Sequence, residues 1–202
     1  HYNYYSAGSN IVFTNTFGAY SFKFSDEELR QIVPASVQNA LNAKNKFLNT
    51  LSDKEKSTHP CFVALDIGPC GKLLKPMGDL DFEDAVSVFK KTILLVLKED
   101  VYCVFIETMN DAYETKAAVI AAKEAMEETD KKVPLMVTNV YDKSSRLLTG
   151  ATPEVMAALL EGLGVDAIGL NCGLGPEDLT DAVSRLCRSC SVPVIVKPNA
   201  GL

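Results

Sequence analysis

Six short apolar runs rich in β-forming residues punctuate the chain: Ile11–Phe17, Cys61–Ile67, Val101–Ile106, Pro134–Tyr141, Asp166–Cys172 and Pro193–Lys197. Segments such as Phe62-Val63-Ala64-Leu65 and Val104-Phe105-Ile106 are continuously apolar rather than alternating, the pattern of parallel strands covered on both faces. Each run is followed by a stretch with helical periodicity. Ser25-x-x-Glu28 is a capping box that opens one helical region, which Pro34 is expected to split in two. Within Asp81–Asp100, Phe82, Ala85, Val86, Phe89, Ile93 and Val96 share one face at 3.6-residue spacing. Asp111-x-x-Glu114 predicts another helix start, followed by a small-residue face of Ala117, Ala118, Ala121, Ala122 and Ala125. Thr152-Pro153 supplies a cap and a first-turn proline ahead of the stripe Val155, Met156, Leu159, Leu160 and Leu163. Glu177–Ser189 repeats the design with Leu179, Ala182, Val183 and Leu186. The polar, Lys/Ser-rich stretch Asn45–Pro60 predicts a surface connection.

Strands alternating with helices give an α/β fold with a parallel sheet. A doubly wound dinucleotide fold would place a glycine-rich turn after its first strand, and Thr16-Phe17-Gly18-Ala19 is not such a turn. The pattern therefore favours a (β/α)8 TIM barrel. Eight units typically take about 250 residues. Six strands in 202 residues predict one barrel domain over 1–202 that is truncated by two strands.

Composition narrows the function. Twenty Lys+Arg against 26 Asp+Glu give a net charge of −6, and no basic cluster offers a footprint for nucleic acid or an anionic membrane. No apolar stretch reaches the length of a membrane span. The start, His-Tyr-Asn-Tyr-Tyr, has neither a basic nor an apolar signal region. Six scattered cysteines predict free thiols in a reducing, cytoplasmic setting. The two histidines, His1 and His59, lie off the strand ends, so a histidine-based metal or hydrolytic site is hard to build.

The active site of a barrel lies at the carboxyl ends of its strands. Here the strand ends carry Asn15-Thr16, Asp66, Glu107-Thr108, Asn139 to Tyr141, Asn171-Cys172 and Lys197-Pro198-Asn199. Polar groups at every strand end predict a ring converging on one mouth. Strand-end Asp and Asn also serve simply as turn and cap residues, which is the competing reading for any one of them.

Six motifs carry a family resemblance. Tyr5-x-Ala7-Gly8 followed by Ile11–Phe17, Asp66-Ile67-Gly68-Pro69-x-Gly71, Ile106-Glu107-Thr108, Leu147-Leu148-Thr149-Gly150, Gly169-Leu170-Asn171-Cys172-x-Leu174-Gly175-Pro176 and Pro198-Asn199-Ala200-Gly201 occur in order. Together they resemble the homocysteine S-methyltransferase family, most nearly the homocysteine-binding domain of its cobalamin-dependent members. The resemblance implies methyl transfer to homocysteine, whose thiolate is held by zinc on three cysteines, forming methionine. It places the six strands at positions 2 to 7, with strand 1 before His1, and strand 8 and the adjacent cysteine pair that follows it after Leu202. Cys172 matches the first zinc ligand and Glu107 the residue that binds the homocysteine amino group. Asn171, Asn199 and Asp66 match substrate-binding positions, although Asp66 could instead hold the Gly68–Gly71 turn.

Further consequences of the resemblance are a methylcobalamin donor bound by another module, and corrinoid- and folate-binding modules as partners. A stand-alone relative using a sulfonium or ammonium donor is the alternative enzyme, and a non-catalytic fragment the alternative outside enzymology. Zinc stabilises a coordinated thiolate at neutral pH, which makes a poor thiol nucleophilic. A lone Cys172 would bind zinc poorly, so the 202-residue chain by itself is expected to be inactive. The remaining thiols divide by position. Cys187-x-x-Cys190 ends an outer helix and reads as inert, Cys61 and Cys103 read as core within strands, and Cys70 at the mouth is a candidate extra sulfur. Val140 stands where relatives often carry a hydroxyl residue.

Overall fold

The computed structural model describes residues 1–200; Gly201, which closes the last motif, and Leu202 lie outside the described residues. Elements run in the order α1 (Tyr2–Ser6), β1 (Ile11–Phe13), α2 (Asp26–Leu48), α3 (Asp53–Thr58), β2 (Phe62–Ile67), α4 (Phe82–Leu94) and β3 (Cys103–Met109). They continue with α5 (Ala112–Thr129), β4 (Leu135–Asn139), α6 (Pro153–Gly162), β5 (Ala167–Asn171), α7 (Pro176–Ser189) and β6 (Val194–Lys197). The six strands pair in parallel and in chain order, β1 through β6, as the alternating pattern predicts.

The sheet curls. Neighbouring strands stand about 4.8 Å apart, so in a flat sheet β1 and β6 would be about 24 Å apart. Lys197 Nζ at the end of β6 nevertheless lies 4.0 Å from the Phe13 ring centroid on β1. The rings of Phe13 and Phe105, on β1 and β3, are 4.7 Å apart. Only a sheet that turns one face inward closes these distances, giving the arc of an incomplete barrel.

Alternation along the strands divides two cores. Val63, Leu65, Ile67, Val104, Ile106, Val137, Ile168 and Leu170 point outward into the layer shared with the helices. Ala64, Cys103 and Phe105, with Phe13, Met136 and Ile195, pave the concave face. The alanine face of α5 is fully buried, since small side chains allow close approach.

Three local expectations are corrected. Pro34 does not split its helix: α2 is continuous, anchored by Leu29 and Val33 before the proline and by Val37, Ala40 and Leu41 after it. Burial on both sides outweighs one missing hydrogen bond. The segment Asn45–Pro60 is not a plain connection, because α2 runs to Leu48 and α3 follows with a second capping box, Ser52 with Glu55. No α3 side chain is buried, so it lacks the apolar stripe that marks the other helices. The run expected at Val101–Ile106 forms Cys103–Met109 instead, with a register shift between Ile106 and Met109 that carries Glu107 and Thr108 into the strand.

Candidate active site at the carboxyl ends of the strands

Above the apolar floor the same strand faces turn polar. Continuing the alternation from Ala64, Phe105, Met136, Gly169 and Ile195 places Asp66, Glu107, Thr138, Asn171 and Lys197 on the concave side. Below this layer, toward the amino ends of the strands, lies a concavity of about 450 Å³ bounded by Ile11, Phe13, Phe105, Ala167, Pro193 and Ile195, which reaches the polar layer at Lys197.

Asn171 organises the layer. Its Oδ1 accepts from the Thr108 N–H at 2.9 Å and from the Thr138 hydroxyl at 2.7 Å. Its Nδ2 donates to the Thr108 hydroxyl at 2.8 Å and to Cys172 Sγ at 3.2 Å. Thr108 and Cys172 both have left-handed backbones, with φ of 62° and 56°. Non-glycine residues hold that conformation only where their surroundings impose it. Asn171 binds both, so the carboxamide is a strut that fixes the Glu107–Thr108 bend against the Cys172 turn. The Cys172 N–H also donates to the Lys197 carbonyl at 3.1 Å, anchoring the thiol to β6.

Glu107 is not free. Its Oε2 lies 2.6 Å from Lys197 Nζ, with the glutamate side chain 13% and the lysine side chain 38% exposed. The same ammonium sits over the Phe13 ring at 4.0 Å and the Phe105 ring at 5.1 Å. Both contacts are cation–π in character. Lys197 was legible as a strand-end residue, but nothing in the sequence pairs it with Glu107. The signal that could have found it is parity: Lys197 stands two residues from Ile195 and so shares its inward face.

Asp66 is buried, and its Oδ1 has no hydrogen-bond partner. Its backbone is tied by Thr14 and Thr16, whose hydroxyls accept from the Asp66 N–H and donate to its carbonyl. Burial first, and the charge of Glu107 second, push its carboxyl up to about 8 against the opposing pull of Lys197. Asn199 is held by its backbone N–H on the Leu174 carbonyl at 3.2 Å.

The structure thus gathers Asp66, Glu107 and Asn171, with Cys172 attached through Asn171, at one end of the sheet. Other thiols lie elsewhere or are unreactive. Cys70 is buried, its N–H donates to Glu114 Oε1, and burial with that carboxylate pushes its thiol up to about 12. Glu114 is therefore not the reciprocal half of a capping box; Asp111 alone caps α5. Cys103 is pushed up to about 12 by burial. Cys61 precedes β2 rather than lying in it, and Cys187 is exposed on α7 with Cys190 at its end.

A catalytic zinc takes three protein ligands in a tetrahedron. Among the described residues, no group of three His, Cys, Asp or Glu side chains is placed to hold a metal. Cys172 alone does not fit the ion; zinc there requires donors beyond those described.

The family model for homocysteine S-methyltransferase matches residues 1–202. The chain belongs to that family. Among curated proteins, the chain is 29% identical over 202 residues to a methionine synthase of Mycobacterium leprae. It is also 29% identical over 204 residues to a methionine synthase of Mycobacterium tuberculosis. The match takes in the whole chain but only 16% and 17% of those relatives' lengths. Among solved structures, the homocysteine methyltransferase MmuM of Escherichia coli superposes in its apo form with a TM-score of 0.80 at 22% identity. Its metallated form gives 0.82 at 21% identity, and both superpositions cover all of this chain and 70% of MmuM. These superpositions show a shared α/β fold, here a curled six-stranded parallel sheet consistent with a truncated TIM barrel. Among the described residues no helix is long and apolar enough to cross a membrane.

Proposed function

We propose that this chain binds homocysteine on its concave face and serves methyl transfer to the homocysteine thiol, forming methionine as part of a methionine synthase. The observation that carries the reading is the strut of Asn171, which joins the Glu107–Thr108 bend to Cys172. One polar layer then offers a carboxylate for the substrate ammonium and a thiol for the neighbourhood of the substrate sulfur. Family membership over the full chain and relatives named methionine synthase support the same reading.

Within it, Glu107 receives the ammonium, a charge-assisted contact in a partly dry site. Asn171 keeps Glu107 and Cys172 in fixed relation, Asp66 lines the mouth, and Asn199 borders it beside Leu174. Cys172 would contribute one thiolate to a zinc centre completed by other donors. The methyl donor would be methylcobalamin, carried with folate chemistry on separate modules. The setting would be the cytoplasm.

Homocysteine titrated calorimetrically into the intact protein tests the assignment. Glu107→Gln keeps the shape and removes the charge, and is expected to weaken binding by about 1.5–3 kcal/mol. Unchanged affinity would leave Glu107 as a partner for Lys197 only.

A further inference from the structure

We infer that Lys197 holds the substrate's α-carboxylate, and that its ion pair with Glu107 stands in, before substrate arrives, for the two charges of the amino acid. The inference rests on the assignment of Glu107 to the ammonium and adds the partner for the other end of the zwitterion.

The starting point is charge balance. Glu107 and Lys197 form a 2.6 Å pair on the concave face, one carboxylate against one ammonium. Asp66, with its carboxyl pushed up to about 8 chiefly by burial, enters this balance as a neutral group at pH 7. When a substrate ammonium takes Glu107, Lys197 loses its counter-ion. A charge left unpaired in a half-buried site is costly. An amino acid brings the replacement on the adjoining carbon: its carboxylate. The layer is then neutral before binding and neutral after it, with two pairs in place of one.

Geometry says which partner moves. The Lys197 side chain is 38% exposed and that of Glu107 is 13% exposed, so the lysine faces the open side of the layer. Its four-carbon stem is flexible, whereas Glu107 follows a bend fixed through Thr108 and Asn171. The Phe13 and Phe105 rings under the ammonium give the cation a surface to slide across without being stripped of favourable contacts. The Lys197 carbonyl meanwhile accepts from the Cys172 N–H. Head-group recognition and the thiol end of the site are thereby joined through one residue.

A ligand comparison tests this in the intact protein. Homocysteine and 3-aminopropane-1-thiol, which lacks the α-carboxylate, are titrated into the native protein and into Lys197→Met, Lys197→Arg and Glu107→Gln. Methionine preserves the stem over the rings and removes only the charge. Lys197→Met is expected to weaken homocysteine about tenfold or more, the scale of one charge-assisted hydrogen bond, while leaving 3-aminopropane-1-thiol no weaker. Lys197→Arg should keep most of the preference for the carboxylate-bearing ligand. The readout is a ratio of two affinities on one preparation, so partial unfolding does not imitate it. Equal weakening of both ligands by Lys197→Met, or tighter homocysteine binding, would overturn the inference. Glu107→Gln is expected to weaken both ligands; if it weakens neither, the ammonium assignment itself fails, a result distinct from the behaviour of Lys197.

Discussion

Asp66→Asn should make the protein more stable at alkaline pH. Asp66 is 6% exposed, its Oδ1 has no partner, and Glu107 adds a like charge nearby. Folding raises it from an ordinary value of 3.8 to about 8. The folded protein therefore keeps a proton that the unfolded chain releases. The stability this group contributes is fully present below pH 3.8 and is lost as pH rises toward 8. Each pH unit in that window removes about 1.4 kcal/mol, which sets a ceiling of about 4 kcal/mol at pH 7. Relaxation and water entry around a buried charge reduce this, so about 2 kcal/mol should reach the folding equilibrium. Asparagine has nearly the same shape and no ionisation, and so removes the dependence. Urea unfolding of both proteins at pH 4.5 and pH 8.5 is the assay. The difference in unfolding free energy, variant minus native, should grow by about 2 kcal/mol across that interval. A difference that stays constant would show that Asp66 does not titrate in this window and that its environment is wetter than the structure indicates.

Two other perturbations probe the same geometry. Asn171→Leu deletes the bonds to Thr108, Thr138 and Cys172 and strands the buried Thr138 hydroxyl; thermal unfolding should report a loss of about 2–4 kcal/mol, and homocysteine affinity should fall with it. Elemental analysis of the purified 202-residue chain should find little zinc after dialysis, since Cys172 stands without a cluster of donors among the described residues. One tightly held zinc per chain, lost on Cys172→Ser, would mean that the ligand set differs from the one proposed.

Much of the architecture was legible because its determinants are local. Continuous apolar runs at Phe62–Leu65 and Val104–Ile106, each followed by an amphipathic helical stretch, have the pattern of parallel strands under helices, and the residues closing parallel strands gather at one end. Glu107, Asn171 and Asp66 were found that way. Lys197 was visible as a strand end, but its partner was not. Pairing it with Glu107 needs β6 brought round to β3, and the degree of curl depends on packing across all six strands. The strut made by Asn171 was hidden for a related reason. It spans 63 residues in sequence to Thr108 and depends on a register shift in β3 that periodicity does not signal. Helix α3 shows the opposite failure. Its capping box, Ser52-x-x-Glu55, was as plain as that of Ser25-x-x-Glu28, but the absence of an apolar stripe made the segment look like a loop.

The polar layer is proposed to recognise a homocysteine head group through Glu107, beside a thiol fixed by Asn171. A crystal structure of the intact protein with homocysteine tests that most directly. The expected result is the ammonium on Glu107, the Glu107–Lys197 pair opened with Lys197 on the carboxylate, and the substrate sulfur turned toward Cys172. Homocysteine bound away from the concave face, or bound there with the Glu107–Lys197 pair intact, would contradict it.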